Sequence, residues 1–295
     1  MMRYIKLFLI AVSLLVSCQS FAKEDVKLPY KDFKPFKMVF LPDTHLSFKD
    51  NDDGPILYKE SLVILQDVIR SLNQTQNPDF VVFGGNLTNN DDAELADMPM
   101  FLDTIADLNA KYYAILGDKE AAVKEEFIKD FDEFGSQTFW TAEPEENVLL
   151  VGLDTSIKGE EDGYVNIHQL FWLDNVLKNN RDKFTIITMH HSPHLSLEKS
   201  DLFLELINLY PQVKVVLSGH NRINLVKKDN GKLFINCPSI VSYPNEYKIL
   251  NIYPDRVEVD NKKISFKQII KKAKKLIGKD YKKPDKFSKK SKYYF

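Results

Sequence analysis

The sequence predicts an α/β fold in which helices flank layered sheets. Three observations predict it. Short unbroken apolar runs recur, each closed by Pro, Gly or a polar turn, which is how a strand buried on both faces reads. Between them lie segments with apolar residues at helical spacing. From Leu225 to Val259 the alternation gives way to several short strands of hairpin character.

In chain order, residues 36–41 form the first apolar run, ended by Pro42, which cannot donate to a sheet ladder. Residues 58–72 carry Leu62, Leu65, Ile69 and Leu72 on one helical face. Phe80-Val81-Val82-Phe83 is a second buried strand, closed by Gly84-Gly85-Asn86. A helix is predicted over 95–109, then a strand at 112–116 closed by Gly117-Asp118-Lys119-Glu120. Residues 121–135 read as helix or loop, 148–153 as a strand and 168–177 as a helix. The strand at 184–189 ends in His190-His191-Ser192-Pro193-His194. A helix near 200–209 precedes the strand 213–217, which ends in Ser218-Gly219-His220-Asn221-Arg222. Turns at Asp229-Asn230-Gly231 and Tyr253-Pro254-Asp255 punctuate the closing strands. No linker interrupts the body, so one domain is predicted.

The flanks differ from the body. Residues 1–22 read as a signal peptide: Arg3 and Lys6 precede an apolar stretch too short to span a membrane stably. Ser20-Phe21-Ala22 suits ordinary cleavage. Leu15-Val16-Ser17-Cys18 resembles a bacterial lipobox, with Cys18 as a lipidated first residue, and is the favoured reading. Export to the periplasm, or anchorage at the bacterial cell envelope, is therefore expected. Cys237 is the one other cysteine, which excludes an intramolecular disulfide framework and reads as a buried inert thiol. The domain is predicted at 23–261, followed by a Lys-rich tail at 262–295. The net charge of −2 conceals a tail of +12, with fourteen lysines, and a body of −16. A capping-box-like Ser265-x-x-Gln268 and five apolar residues up to Ile277 predict a short amphipathic helix, then a disordered end. Such a tail suits an anionic lipid surface or the acidic body. No specific nucleic-acid partner is expected, and the chain is expected to be a monomer.

The chemistry lies at the strand ends. Asp43 with His45, Asn86, Asp118, His190 and His220 each fall just past the C-terminal end of an apolar run. Open α/β sheets build their sites in that crevice. Asp43 and His45, two apart in an extended chain, are expected to project the same way. Carboxylate and imidazole donors of this kind suit Zn, Mn or Fe. His191 and His194 are read as rim histidines, either contacting substrate or merely exposed.

The ordered set Asp43-x-His45, Gly85-Asn86, Gly117-Asp118, His190 and Gly219-His220 resembles the calcineurin-like metallophosphoesterase superfamily, over roughly residues 36–253. The stretch Gln169-Leu170-Phe171-Trp172-Leu173 resembles the helix preceding that family's first late histidine. The resemblance implies a layered β-sandwich flanked by helices, a phosphate-ester substrate, and one or two metal ions activating water for in-line attack. It implies Asp43 and His45 at a first metal, Asn86 at the bridge, and Asp118, His190 and His220 at a second. The chain departs from the family at three places. Asn86 stands for a bridging Asp. Lys119 stands for a leaving-group histidine and is a poor proton donor at neutral pH but a usable phosphate contact. Arg222 stands for a histidine ligand and cannot bind metal. The expected consequence is one metal at Asp118, His190 and His220, with the Asn86 carbonyl as a fourth donor. Arg222 then either pairs with Asp43 or clamps a phosphate oxygen. The leading function is a metal-dependent phosphoesterase acting on a phosphomonoester or phosphodiester, with Lys119 and Arg222 as catalytic candidates. An inactive scaffold on the same fold at the cell envelope, or a phosphate receptor, are the alternatives.

Overall fold

The computed structural model describes residues 34–49, 51–89, 97–131, 133–277 and 290–295. The leader, with Cys18 and both processing sites, lies outside the described residues. Two six-stranded sheets carry the fold. The first has the order β14-β13-β12-β1-β2-β3. Its parallel centre is β1 (Phe36–Leu41), β2 (Phe80–Gly84) and β3 (Lys111–Ile115). The antiparallel strands β12 (Glu246–Tyr253), β13 (Arg256–Lys263) and β14 (Lys290–Tyr294) extend it past β1.

The second sheet has the order β10-β11-β9-β7-β5-β4. Its strands β5 (Val148–Gly152), β7 (Phe184–Thr188), β9 (Val213–Ser218) and β11 (Lys232–Asn236) run parallel. Antiparallel β4 (Trp140–Ala142) and β10 (Leu225–Asp229) close its two edges. A pair of two-residue strands, β6 (Gly163–Tyr164) and β8 (Leu197–Glu198), stands apart from both.

Alternation along the strands builds the layers, because successive side chains leave a strand on opposite faces. Leu150, Ile186, Val215 and Leu217 share a core with Met38, Phe40 and Val82, so the sheets pack face to face. Their neighbours Leu149, Val151, Ile187 and Val216 join Leu173, Leu177, Phe203 and Ile207 in a second core. Those last four come from α4 (Ile167–Asn179) and α5 (Ser200–Asn208). On the first sheet, α1 (Ser61–Ser71), α2 (Asp97–Ile105) and α6 (Lys267–Ile277) feed the larger core through Ile64, Leu65, Phe101, Ile105 and Ala273. A four-residue α3 (Lys124–Phe127) follows β3. The expected layered α/β sandwich is therefore the observed one.

The tail departs from expectation at its end. Helix α6 forms, with its apolar stripe on the body, but residues 290–294 pair with β13 as the edge strand of the first sheet. Tyr293 and Phe295 pack against the core, and Lys290 and Lys292 reach Glu258. Lys272 binds Asp52 and Glu60 at 2.5 and 2.7 Å. Part of the basic tail is thus spent on the acidic body. Among the described residues no helix is long and apolar enough to cross a membrane.

Candidate metal centre

The loops that follow β1, β2, β3, β7 and β9 meet at one end of the sandwich. Past β1 and β2 the two chains stay paired, with backbone N–H of Asp43 and His45 donating to Gly85 and Asn86 carbonyls at 2.9 Å. Asp43 and His45 are not extended: their φ values are 55° and 41°, and Asn86, His220 and Arg222 are also left-handed at 52°, 59° and 52°. Non-glycine residues rarely hold that conformation, and its concentration here marks a site the surrounding packing over-determines. The Asp43 and His45 side chains do converge, with Nε2 and Oδ1 3.4 Å apart, through two left-handed turns rather than strand alternation.

Asp118 is the centre of the cluster. Its Oδ1 lies 3.1 Å from His190 Nε2 and 3.3 Å from His220 Nδ1, and it accepts Asn86 Nδ2–H at 2.9 Å. His190 Nδ1 sits 2.7 Å from the Gly84 carbonyl, an acceptor that holds the proton on Nδ1 and turns Nε2 to the cluster. His220 is tied by its backbone N–H to Asp43 Oδ2 at 2.9 Å. Burial opposes charge on both partners, but the two imidazoles hold the Asp118 carboxyl far below its ordinary range. In turn His190, against its burial, is raised to about 9 by Asp118 and Asp43. Asp43 is pushed down to about 2: burial works against this, and His45, His190 and Arg222 outweigh it.

Three placements differ from the sequence reading. The Asn86 carbonyl is turned away from the cluster, accepting the Lys119 backbone N–H at 3.0 Å, while its amide Nδ2 faces the Asp118 and Asp43 carboxylates. It stands between the carboxylates as a donor. Arg222 makes no ion pair with Asp43 among the described residues, and its Nη1 is buried without a hydrogen-bond partner. Its charge still reaches Asp43 and His45. His191 is no rim residue. It is fully buried, its ring centroid lies 4.5 Å from that of His220, and burial, with His190 and His220 nearby, lowers it to about 2. His194 is partly exposed beside Lys227 and Phe234, outside the cluster.

Glu120 was invisible as a site residue. Its fully buried carboxylate accepts N–H groups of Asn86, Leu87 and Gly117 at 2.8–2.9 Å, stitching the β2 and β3 loops together. Burial raises its pKa, against the pull of those N–H groups. Gly117 permits the contact: a Cβ there would lie 2.4 Å from Asn86 N and Oδ1.

The donor set fits a transition metal. One ligand atom each from Asp118, His190, His191 and His220 lies within 4.8 Å of the others, the one such group of His, Cys, Asp or Glu found among the described residues. His45 Nδ1 and His191 Nε2 are buried without a hydrogen-bond partner, an orphaned pair of imidazole nitrogens consistent with a ligand-binding centre. Asp43 and His45 form the poorer half, two donors beside a guanidinium.

Two packed sheets with imidazole and carboxylate donors at their strand ends define a metallohydrolase-like α/β sandwich. The family model for calcineurin-like phosphoesterases matches residues 36–221, and the chain belongs to that family, whose members hydrolyse phosphoric esters. The chain is 28% identical over 199 residues to a probable glycerophosphodiester phosphodiesterase of Arcobacter nitrofigilis, covering 62% of this chain and 70% of that one. It is 24% identical over 197 residues to a 3',5'-cyclic adenosine monophosphate phosphodiesterase of Vibrio vulnificus, covering 62% and 69%. A dimetal phosphatase from Danio rerio shares the fold with a TM-score of 0.65 at 16% identity, over 77% of this chain and 96% of that one.

Proposed function

We propose that this protein hydrolyses a phosphodiester using a single transition metal held by Asp118, His190 and His220. The observation that carries the reading is the Asp118 carboxylate touching both imidazoles, at 3.1 and 3.3 Å. Mn, Zn or Fe suits one carboxylate and two imidazoles. Such a metal, when bound, polarises the phosphoryl group and lowers the pKa of water. Three protein donors leave room for substrate and water. The phosphodiester is favoured because both relatives named above are phosphodiesterases. The inactive-scaffold alternative gains no support from these comparisons.

The chain's own groups do the rest. Arg222 Nη1, buried and unpartnered, is read as the clamp for a non-bridging phosphate oxygen, standing where a second metal would supply positive charge. Lys119, beside Asp118, adds a cation at the mouth. Asn86 orients the Asp118 and Asp43 carboxylates through its amide N–H groups. Asp43 anchors the His220 loop by accepting its backbone N–H. We read the leader as the export signal that would set this activity at the cell envelope.

Metal analysis after reconstitution with Mn, Zn or Fe should return one equivalent per chain, with turnover of a chromogenic phosphodiester. His190→Ala should lose both the metal and at least about 10²-fold in kcat/KM. Two equivalents would reject the single-metal reading. No metal and no turnover would reject the function.

A further inference from the structure

Helix α6 has two unlike faces. Ile269, Ile270 and Ala273 pack on the larger core, and Lys272 is held by Asp52 and Glu60. Its other lysines, Lys267, Lys271, Lys274 and Lys275, are all exposed. With about 3.6 residues per turn, they share an arc of about 100° along about 12 Å of helix. Exposed lysines elsewhere sit beside acids, as Lys183 does with Glu143 and Lys263 with Glu246. Here they do not. The helix carries no Asp or Glu, and among the described residues none of the four meets a carboxylate. Lys274 alone has an aromatic neighbour, the Tyr243 ring at 5.9 Å. Lys267 with Lys271, and Lys271 with Lys275, are like charges at i and i+4, an arrangement that weakens a helix. The fold gains nothing from this face, and its charge stands on a body that is otherwise strongly acidic, at −16.

We infer that the lysine face of α6 docks the protein onto an anionic lipid surface. The inference is independent of the phosphoester reading, and its test needs no activity. Three features favour a bilayer over another polyanion. First, α6 lies flat with its apolar stripe taken up by the body, so it can meet a plane. Entering a nucleic-acid groove takes a helix that projects. Second, every cation on α6 is a lysine, a compact point charge that a field of headgroups satisfies in any orientation. Arginine, the residue of bidentate phosphate recognition, is missing from it. Third, the acidic body is repelled by the same surface, so only the α6 side approaches it. Each lysine close to such a surface strengthens partition about fivefold, and salt screens the attraction. Because the apolar stripe is already buried, α6 brings charge without insertion, and binding should be fully reversed by salt.

The test uses the chain from residue 23 onward. It keeps every described strand and helix, since the described residues begin at 34, and it takes the apolar leader out of the assay. At low salt the protein should sediment with vesicles of phosphatidylglycerol and phosphatidylcholine in about equal parts, but not with phosphatidylcholine alone. Salt at about 0.5 M should release it. Changing Lys267, Lys271, Lys274 and Lys275 together to Gln, a comparable helix former, should lower partition on the order of 10²-fold without lowering Tm. Lys178 is exposed on α4, in the opposite layer. Lys178→Gln should change partition by less than about twofold, against about fivefold for Lys271→Gln. Equal losses from those two would assign binding to net charge and overturn the inference. Undiminished binding by the fourfold variant would overturn it too, by moving the contact to the lysines beyond residue 277. Binding that survives high salt would show apolar insertion instead of charge docking and would also reject it. Tighter binding of duplex DNA of about 20 base pairs at the same salt would make nucleic acid the partner. No sedimentation with anionic vesicles ends the inference outright and leaves the phosphoester reading untouched.

Discussion

At the scale of single residues, His190 holds a proton where a metal is proposed to bind. With its imidazole raised to about 9, mainly against burial and through Asp118 and Asp43, metal must displace that proton at neutral pH. Affinity measured by calorimetry should therefore rise about tenfold per pH unit up to about pH 9, with about one proton released per metal. A flat profile would show that His190 is no ligand. Glu120 makes a separate case. Truncation in Glu120→Ala strands three buried N–H groups, those of Asn86, Leu87 and Gly117, and should cost roughly 3–5 kcal/mol in urea unfolding. Glu120 was not legible in the sequence, and His191 reads there only as a rim histidine rather than a buried one, for physical reasons. A glutamate in a polar loop reads as solvated, because nothing local announces the N–H groups that converge on it from another loop. Adjacent residues such as His190 and His191 ordinarily diverge, and only the loop after β7 brings both rings inward. Asp43, Asp118, His190 and His220 could be placed together at one sheet edge because each falls just past the end of an apolar run.

At the scale of elements, strand β12 holds the loop that carries Arg222. Lys248 of β12 is fully buried and donates from Nζ to Asn224 Oδ1 and Asn261 Oδ1, both at 2.6 Å. It thus ties the residues after Arg222 in the second sheet to the first. Neutral amides offset little of the cost of burying an ammonium, and burial lowers Lys248 to about 8. The folded protein then binds this proton more weakly than the unfolded chain does. Between pH 8 and 10.5 the unfolded state holds more protons, so stability should rise with pH across that window. Relative to Lys248→Met, the wild type should gain roughly 3 kcal/mol over it, read from denaturation midpoints at stepped pH. Parallel curves for the two proteins would sink the assignment. The elements themselves were largely readable, since the parallel strands β1, β2, β5, β7 and β9 are short, predominantly apolar runs closed by Pro, Gly or polar turns. Strands β4, β6 and β8 were not, because two or three residues are too few to show a period.

At the scale of the whole molecule, the acidic body and basic tail complete each other. The sequence separates them sharply, and the tail's lysines argue for a solvated end; the structure closes the first sheet with residues 290–294. A Lys-Ser-Lys-Tyr-Tyr segment can serve as an edge strand because its alternation sends Ser291 and Tyr293 to half-buried places while lysines stay exposed. Those lysines also discourage a second chain from pairing with the free edge. Beyond the ladder, Phe295 packs against Phe184 of β7 with ring centroids 5.7 Å apart, so the last residue reaches the other sheet. A chain ending at residue 289 should then keep its metal stoichiometry and kcat, because the site lies among the loops after β1, β2, β3, β7 and β9. Its melting temperature should fall by roughly 5–10 °C, the loss of a few kcal/mol of edge pairing and ring burial. With β13 exposed as a bare edge, the truncated chain should also associate at high concentration, which sedimentation would detect. An unchanged melting temperature would mean that the strand adds nothing to the fold. A loss of metal would mean instead that the edge of the first sheet supports the centre, and that the two sheets respond as one body.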